Sequence, residues 1–234
     1  MKLSKHLFFC KNIASNTLSK QETHHAVKVL RLKIDDQISL MDGMGTFANA
    51  RIIDLSKNEL IFEVIQKEKF SIPIKQLHIA IAPTKTNERF EFFLEKCTEI
   101  GITEVTPILT SNSERKKINT DRWQKIILAA AKQSQSPYLP KLNNLQKFSE
   151  FMKQKRQGDK FIAHCEEDHD KQHLKDLVSD AKEICILIGP EGDFTQEEIN
   201  FAKDQQYKPI SLGKSRLRTE TAGIVACHTV NIFI

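Results

Sequence analysis

The sequence predicts an α/β protein of two domains, a small β-barrel followed by a parallel sheet with helices on both faces. In the first 70 residues, three short strand-like runs are joined by tight turns, which is typical of a small barrel. From residue 76 onward strand-like and helix-like segments alternate, and such alternation indicates a parallel sheet. Phe70–Pro73 lies between them as an extended linker, because proline fits neither a helix interior nor a central strand. We therefore predict domains at residues 1–72 and 73–234.

The elements of the first domain follow from its turn residues. Asp42, Gly43 and Gly45 supply one turn, and Lys57 with Asn58 supplies the next. The predicted elements are a strand at Leu7–Cys10, a helix at Glu22–Leu32, and strands at Gln37–Met41, Thr46–Asp54 and Glu59–Gln66.

The helices of the second domain follow from apolar residues spaced three to four apart. In Asn87–Ile100 this spacing is clear, and Gly101 ends it. Five strands are predicted, at Gln76–Ala82, Glu104–Leu109, Lys160–His164, Glu183–Ile188 and Lys208–Leu212. Five helices are predicted, at Asn87–Ile100, Asp121–Ser134, Lys147–Lys155, Thr195–Gln206 and from Thr219 to the C-terminus.

The last helix is apolar nearly all round and carries no charge after Glu220. A helix of this kind must be buried on most sides. Burial against a second subunit and burial within the monomer both satisfy this requirement.

Composition excludes several classes of protein. No run approaches the ~18 apolar residues of a membrane helix. Five cysteines without a Cys-x-x-Cys pair argue against a disulfide framework and a zinc ribbon, and they suit a reducing cytoplasm. The net charge of +5 is uneven, since residues 111–160 hold 12 basic and 4 acidic side chains, a balance of +8. Such a stretch attracts polyanions such as nucleic acid, although a solvated lysine-rich helix face also explains it.

Two glycine-containing loops follow apolar strands near the C-terminus. Ile188–Thr195 leads through Gly189 and Gly192 into a helix start, and Leu212–Gly223 repeats the arrangement with two arginines. Turns at the carboxyl ends of parallel strands are where α/β proteins bind ligands, and glycines allow a small molecule to approach the backbone closely. The always-charged arginine fork suits an oxyanion or phosphate. We expect both loops to form one ligand site at one sheet edge.

The same region contains residue strings that are specific to a family. They are Gly189-Pro190-Glu191-Gly192, Leu212-Gly213 and Leu217-Arg218-Thr219-Glu220-Thr221-Ala222, with Glu95–Gly101, Arg122–Ile126, Ala129-Ala130 and His24–Leu32 upstream. With these strings the chain resembles the RsmE-type methyltransferases of the SPOUT class, which methylate N3 of one uridine in 16S ribosomal RNA. Asp35 and Asp193 stand where members of that family usually have glycine.

The resemblance has concrete implications for fold, cofactor and partners. It implies a PUA-like RNA-binding barrel at residues 1–72 and, at 73–234, a SPOUT-type parallel sheet with a C-terminal trefoil knot. It also implies S-adenosyl-L-methionine as cofactor, 16S rRNA in the small ribosomal subunit as partner, and a homodimer through the C-terminal helix. A cytoplasmic location without a membrane partner is implied as well, and no metal. The cofactor-binding residues that it implies are His164, Ile188, Gly189, Glu191, Gly192, Leu212, Gly213, Leu217, Arg218 and Thr219.

The chemistry of uridine suggests roles for individual side chains. N3 carries a proton that must leave before or during attack on the sulfonium methyl, and negative charge then spreads onto the flanking carbonyl oxygens. A fixed cation beside those oxygens stabilises that charge, and we predict Arg218 for this role. Glu220 is a candidate base, unless it caps the helix or pairs with Arg218. The predicted RNA-binding residues are His25, Lys28, Arg31, Lys33, Arg115 and Lys116.

Two other functions remain open. One is a SPOUT ribose 2′-O-methyltransferase, and the other is a non-catalytic RNA-binding assembly factor with the same fold. His164–His169 with His173 offers residue types that bind metals, but a solvated acidic loop is favoured because no second ligand pair completes a site.

Overall fold

The computed structural model describes residues 2–166, 171–178 and 180–232. The chain divides into two compact units. The first contains the residues up to Ile72 together with Ala131–Leu139, and the second contains Pro73–Ala130 and the residues from Pro140 onward. The two contiguous ranges expected from the sequence share the division after Ile72, but they leave Ala131–Leu139 in the second domain.

Apolar contacts explain why residues 131–139 belong to the first unit. Ala131 is buried together with Met41 and Phe47, and Leu139 packs against the same cluster. The backbone N–H of Leu139 also donates to the carbonyl oxygen of Gly43 at 3.0 Å. The sequence shows no sign of this pairing, because it joins residues about 90 positions apart.

The first unit is built on four strands, β1 (Leu7–Phe9), β2 (Gln37–Met41), β3 (Thr46–Leu55) and β4 (Leu60–Lys69). They lie in the order β1-β2-β3-β4, with β1 parallel to β2 and the other pairs antiparallel. The chain after β1 crosses to the far edge, where Leu18 N–H donates to Leu60 and Phe62 N–H donates to Asn16. One short stretch therefore covers both sheet edges, as a small barrel requires.

The first helix differs from the prediction at both ends. Helix α1 spans Lys20–His24 and continues as a π-helix over His25–Val29. It begins early because the Ser19 side chain accepts a hydrogen bond from the N–H of Glu22. It ends early because the wide π-turn is followed by Arg31 in a left-handed conformation, with φ 55°.

The second unit is a parallel sheet ordered β10-β12-β9-β11-β5-β6-β7, and β8 also pairs with β6. The strands are β5 (Gln76–Ile81), β6 (Glu104–Leu109), β7 (Lys141–Leu142), β8 (Gln146–Lys147), β9 (Asp159–Ala163), β10 (Gln172–His173), β11 (Glu183–Ile188) and β12 (Lys208–Ser211). The five predicted strands are confirmed to within one residue at each end. The three additional strands have two residues each, too few to show a pattern.

Helices cover both faces of this sheet, as predicted. They are α2 (Asn87–Ile100), α3 (Thr120–Ser134), α4 (Phe148–Met152), α5 (Leu174–Leu177), α6 (Gln196–Asp204) and α7 (Thr219–Asn231). Phe151 of α4 and Ile199 of α6 share one core cluster with Leu187 of β11. The helix predicted at Lys147–Lys155 is wrong at both ends, since Lys147 pairs with β6 and α4 has only five residues. No helix in the described part of the chain is long and apolar enough to cross a membrane.

Helix α7 packs closely on the opposite face of the sheet. A Cβ atom at Gly223 would lie 2.5 Å from the Phe93 ring of α2 and 3.1 Å from Ile81 of β5. Glycine therefore allows α7 to approach both elements. This contact buries one side of α7, while Ile224 and Val225 on another side are only half-buried.

Candidate active site

A cavity of about 670 Å³ lies at the carboxyl ends of β9, β11 and β12. This is the sheet edge at which the two glycine loops were expected to meet. Nine of the ten predicted cofactor-binding residues line it, namely His164, Ile188, Gly189, Glu191, Leu212, Gly213, Leu217, Arg218 and Thr219. Gly192 belongs to the same loop but does not line the cavity.

The loop after β11 is held by the loops after two neighbouring strands. The Glu191 carboxylate accepts a hydrogen bond from the backbone N–H of Lys85 at 2.9 Å. The side-chain amide of Asn112 donates to the carbonyl oxygens of Gly192 and Asp193, both at 3.0 Å. The wall of the cavity is thus fixed before any ligand enters.

Asp193 fastens this loop to the loop after β9. Its carboxylate accepts hydrogen bonds from the backbone N–H groups of Cys165, at 2.6 Å, and Phe194, at 2.8 Å. Asp193 has φ 62° and Asp35 has φ 74°, so both aspartates that replace glycine adopt the left-handed conformation. Burial and the nearby Asp193 charge raise the pKa of the Cys165 thiol, which therefore stays protonated at neutral pH.

The loop after β12 joins the same cavity through two contacts. Thr219 donates its hydroxyl hydrogen to the carbonyl oxygen of Gly189 at 3.0 Å, and Arg216 donates to that of Glu191 at 3.3 Å. Gly213 has φ 147°, which other residues rarely adopt, and a Cβ atom there would meet nothing within 4 Å. The loop therefore leaves open space beside its backbone, where a ligand can approach closely.

Arg218 and Glu220 have different environments although they are two residues apart. Arg218 precedes α7, lines the cavity and is exposed, and no hydrogen bond or ion pair engages its guanidinium among the described residues. Glu220 is buried and does not line the cavity, and its Oε1 lies 3.9 Å from Nε of Arg89 on α2. The alternative in which Glu220 pairs with Arg218 is therefore wrong. The other carboxylate oxygen of Glu220 is buried without a hydrogen-bond partner among the described residues.

The predicted RNA-binding residues fall into two groups. His25, Lys28, Arg31 and Lys33 are exposed in the first unit, on the π-helix and the turn after it. In the second unit, Arg115 donates to the carbonyl oxygens of Thr84 at 2.9 Å and Lys85 at 2.6 Å. Arg115 therefore fixes the loop after β5, which in turn holds Glu191. Lys116 is exposed and lines a second cavity.

Four residues that support the site were missed from the sequence, namely Arg89, Asn112, Lys171 and Asp193. Lys171 lines the cavity and donates to the His164 carbonyl oxygen at 2.9 Å. Asn112 follows β6 at the same sheet edge, so the rule that located the glycine loops could also have found it. Asp193 was visible as a departure from glycine, but its role depends on contacts that only the fold reveals.

No metal centre is found within residues 2–166, 171–178 and 180–232, where no three His, Cys, Asp or Glu side chains group suitably. Residues 167–170 of the acidic loop lie outside the described part of the chain. His173 uses Nδ1 to accept a hydrogen bond from the N–H of Lys175 at 3.2 Å, so it caps α5.

Two sequence families match this chain. An RNA methyltransferase domain matches residues 71–231, and an RNA methyltransferase PUA domain matches residues 18–65. Ribosomal RNA small subunit methyltransferase E of Buchnera aphidicola is 32% identical over 219 residues, which cover 89% of this chain and 84% of that protein.

Solved structures are similar over nearly the whole length. A probable rRNA methyltransferase from Porphyromonas gingivalis superposes with a TM-score of 0.88 at 35% identity, covering 97% of this chain and 99% of that one. A methyltransferase from Legionella pneumophila, solved with its bound cofactor SAM, has a TM-score of 0.82 at 27% identity. That match covers 93% of this chain and 91% of that one.

Proposed function

Because this chain belongs to the ribosomal RNA small subunit methyltransferase E family, we propose that it methylates N3 of one uridine in 16S rRNA. It is an RNA methyltransferase that uses S-adenosylmethionine. The observation that carries the choice of catalytic group is the Arg218 guanidinium on the cavity wall, which none of the residues that the structure describes engages in a hydrogen bond or ion pair.

The cavity fits the cofactor in size and in chemistry. Its volume of about 670 Å³ lies in the range of small-molecule sites, and the loops at residues 188–191 and 212–217 line it. The open space beside Gly213 suits close approach of a ligand. We assign cofactor binding to the ten residues named from the sequence, with Gly192 acting through its neighbours and Arg218 through its backbone, not its guanidinium. When bound, S-adenosylmethionine supplies an electrophilic methyl group.

Arg218 is the proposed catalytic residue. Its guanidinium is exposed toward the cavity, where it can donate to a uracil carbonyl oxygen as negative charge develops after N3 loses its proton. Glu220 lies on the α2 side of α7 and not on the cavity wall, so we propose that it positions the first turn of α7 through Arg89. The N3 proton is released to solvent as the N–CH3 bond replaces the N–H bond.

The first unit is the proposed RNA-binding domain. His25, Lys28, Arg31 and Lys33 are all exposed within nine residues, and such a basic surface neutralises RNA phosphates. We assign this role to residues 1–72 and methyl transfer to residues 73–234. Ribosomal RNA is the substrate, so we also place the protein in the cytoplasm.

We also propose that the C-terminal segment forms a trefoil knot and that two copies associate through α7. The loop before α7 is fastened to the loop after β11 by Thr219, which is the contact a threaded segment would need.

The surface proposed to bind the second copy lies on α7. It is an apolar stripe formed by the half-buried Ile224 and Val225 and by Ile232, which is 59% exposed. Sedimentation at micromolar concentration is expected to show a dimer, and Ile224→Asp is expected to yield a monomer.

The deciding experiment incubates the protein with methyl-labelled S-adenosylmethionine and small ribosomal subunits that lack the modification. The expected product after nuclease digestion is labelled 3-methyluridine, identified by mass spectrometry. A 2′-O-methyl nucleoside would instead identify a ribose methyltransferase. Absence of both label and cofactor-binding heat in calorimetry would identify a non-catalytic assembly factor.

A further inference from the structure

A second cavity, of about 780 Å³, opens in the second unit between the loop after β6 and the first turns of α4 and α6. It is separate from the cofactor cavity and shares no lining residue with it. Its lining residues include hydroxyl groups, two lysines, two glutamates and two aromatic rings. The residues that matter below are Lys116, Lys147, Ser149, Thr195, Glu197, Glu198, Phe148 and Phe201.

The charges of this cavity are not equally available to a ligand. Glu198 already accepts hydrogen bonds from the backbone N–H groups of Ser111, at 2.8 Å, and Thr195, at 3.0 Å. Glu197 is held by its own backbone N–H and by Thr195, and these bonds lower its pKa. By contrast, no hydrogen bond or ion pair engages Lys116 or Lys147 within the described residues. Both carboxylates keep their negative charge, but among the four charged side chains only the two lysines have no hydrogen-bond or ion-pair partner within the described residues, so the lysines are the groups available to an anion.

An aromatic ring stands beside these cations. Phe201 is 36% exposed although it packs edge-on against the buried Phe148, with ring centroids 6.4 Å apart. Two ammonium groups that no described residue engages, together with an exposed ring in the same cavity, match the chemistry of a single-stranded nucleotide, because phosphates pair with cations and bases stack on aromatic faces. An anion without a planar part would leave the ring unused.

The second cavity is linked to the cofactor cavity through a short piece of chain. Ser111 bonds to Glu198 in one wall, while the next residue, Asn112, bonds to Gly192 and Asp193 in the loop of the other. A single residue, Phe194, separates Asp193, which lines the cofactor cavity, from Thr195, which lines the second. A strand of RNA that enters one cavity is therefore close to the other.

We propose that the second cavity binds an unpaired nucleotide of the RNA substrate that flanks the methylated uridine. The phosphate pairs with Lys116 and Lys147, and the base stacks on Phe201. This proposal rests on the proposed function, since it deepens the definition of the substrate. It also gives the basic stretch at residues 111–160 a structural role, because both lysines come from it.

The test compares methylation of small subunits by Lys116→Gln/Lys147→Gln and by Lys182→Gln/Lys208→Gln. The control pair removes the same charge from exposed lysines at the amino ends of β11 and β12, the opposite sheet edge. The cavity pair is expected to raise KM for subunits about tenfold with little change in kcat. It is also expected to reduce the slope of log KM against log salt by about 0.7, the value for one phosphate of a single strand. Equal KM values for the two double variants would overturn the proposal.

Phe201 provides an independent arm. Phe201→Ala is expected to raise KM for subunits at least about fivefold, from the loss of one stacked base. Phe201→Leu keeps apolar packing against Phe148, so a similar KM increase in Phe201→Leu with unchanged thermal unfolding excludes a folding defect. An unchanged KM in Phe201→Leu would overturn the stacking role.

Two binding measurements separate this proposal from the proposed function and from free nucleotides. If wild-type protein transfers no methyl group yet binds a single-stranded oligoribonucleotide more tightly than the cavity pair does, the proposed function fails and the RNA site stands. If the wild type is active and both pairs bind the oligonucleotide equally, the RNA site fails alone. Competition by adenosine or uridine monophosphate as strong as that by the oligonucleotide would contradict an RNA segment as occupant.

Discussion

The two ends of the parallel sheet are built in opposite ways. At the carboxyl ends, two glycine-containing loops line a cavity, and no hydrogen bond or ion pair within the described residues engages the Arg218 guanidinium. At the amino ends of β5 and β6, side chains close the sheet. Arg156 donates to Nδ1 of His78 at 3.1 Å, and Nε2 of His78 lies 2.7 Å from Oγ1 of Thr106. The Arg156 guanidinium also lies 4.0 Å from the Phe151 ring centre.

Because of this difference, the carboxyl ends of the strands serve catalysis, whereas the cluster at the amino ends of β5 and β6 serves stability. An unengaged cation beside open space contributes little to folding, but it is available to a substrate. A buried cluster of polar groups contributes to folding only while its members keep their partners. Burial lowers the pKa of His78 to about 4, so the ring is neutral and accepts from Arg156 at neutral pH. Substitutions at the two edges should therefore affect different measurements.

The largest expected effect is on catalysis at the carboxyl ends of the strands, which we call the open edge. Arg218→Ala should lower kcat about 100-fold or more, because one donor to a developing oxyanion has this typical value. The affinity for S-adenosylmethionine and the thermal unfolding temperature should change little, since no described residue bonds to the guanidinium. Labelled methyl transfer, calorimetry and thermal unfolding measure the three quantities.

Arg122→Ala is the matched control for this prediction. Arg122 is exposed, pairs with Glu91 in the same unit and does not line the cavity. It should retain full kcat. Full activity of Arg218→Ala would remove Arg218 from the mechanism, and loss of cofactor binding would reassign it to cofactor recognition.

The cluster of His78, Thr106 and Arg156 at the amino ends of β5 and β6, which we call the closed edge, should dominate the pH dependence of the free energy of unfolding. The pKa of His78 is about 4 in the folded protein and about 6.5 when unfolded, so between these values the unfolded chain binds more protons. The stability that depends on neutral His78 is complete above pH 6.5 and is lost as the pH falls toward 4. The loss amounts to about 3 kcal/mol, at 1.36 kcal/mol for each pKa unit. Urea unfolding at pH 7.5, 6, 5 and 4 measures it.

His78→Gln should flatten this pH dependence, and His24→Gln, at an exposed position of the first unit, should not. Burial opposes ionisation of Glu104, but His78, Asn143 and Lys141 outweigh it and lower its pKa. Any loss of stability from Glu104 therefore begins only below its ordinary pKa. A pH profile that is unchanged between 4 and 6.5 in His78→Gln would contradict the assignment.

The open edge was more predictable from sequence than the closed one. Strand β11 carries a continuous apolar run, and Gly189 and Gly213 mark the loops after β11 and β12, so local pattern and one topological rule located the cavity. The closed edge joins His78 to Arg156 across 78 positions, and no local pattern reports that pairing. For the same reason the sequence did not predict that segment 131–139 belongs to the first unit, since its partners there are distant in sequence.

The direction in which side chains point was the other feature that the sequence could not predict. From sequence, Arg218 was predicted as the stabilising cation and Glu220 as a candidate base, and both stand at the start of one helix. The fold separates them, since Thr219 and Ala222 face the cavity whereas Glu220 and Gly223 face α2. The direction of the first helical turn depends on packing of α7 against Phe93, a contact of long range.

A smaller effect tests the backbone of the open edge. Gly213→Ala forces a side chain into φ 147°, which costs about 1–2 kcal/mol. The cofactor affinity should fall about fivefold to thirtyfold as the loop departs from this conformation. Ser215→Ala, in the same loop without positive φ, should bind as the wild type does. Equal affinities in calorimetry would show that the Gly213 conformation does not matter for binding.

The smallest expected effect concerns Asp193. It lines the cavity at the carboxyl ends of the strands, but its carboxylate is already engaged in hydrogen bonds, as are the side chains at the amino ends of β5 and β6. Asp193→Ala and Asp193→Gly both lose the hydrogen bonds to Cys165 and Phe194, so they differ only in tolerance of φ 62°. Asp193→Gly should therefore be more stable than Asp193→Ala by about 1 kcal/mol in urea unfolding. Both should be less stable than the wild type if the two hydrogen bonds outweigh the strain. If Asp193→Gly proves more stable than the wild type, the aspartate strains this loop more than it stabilises it.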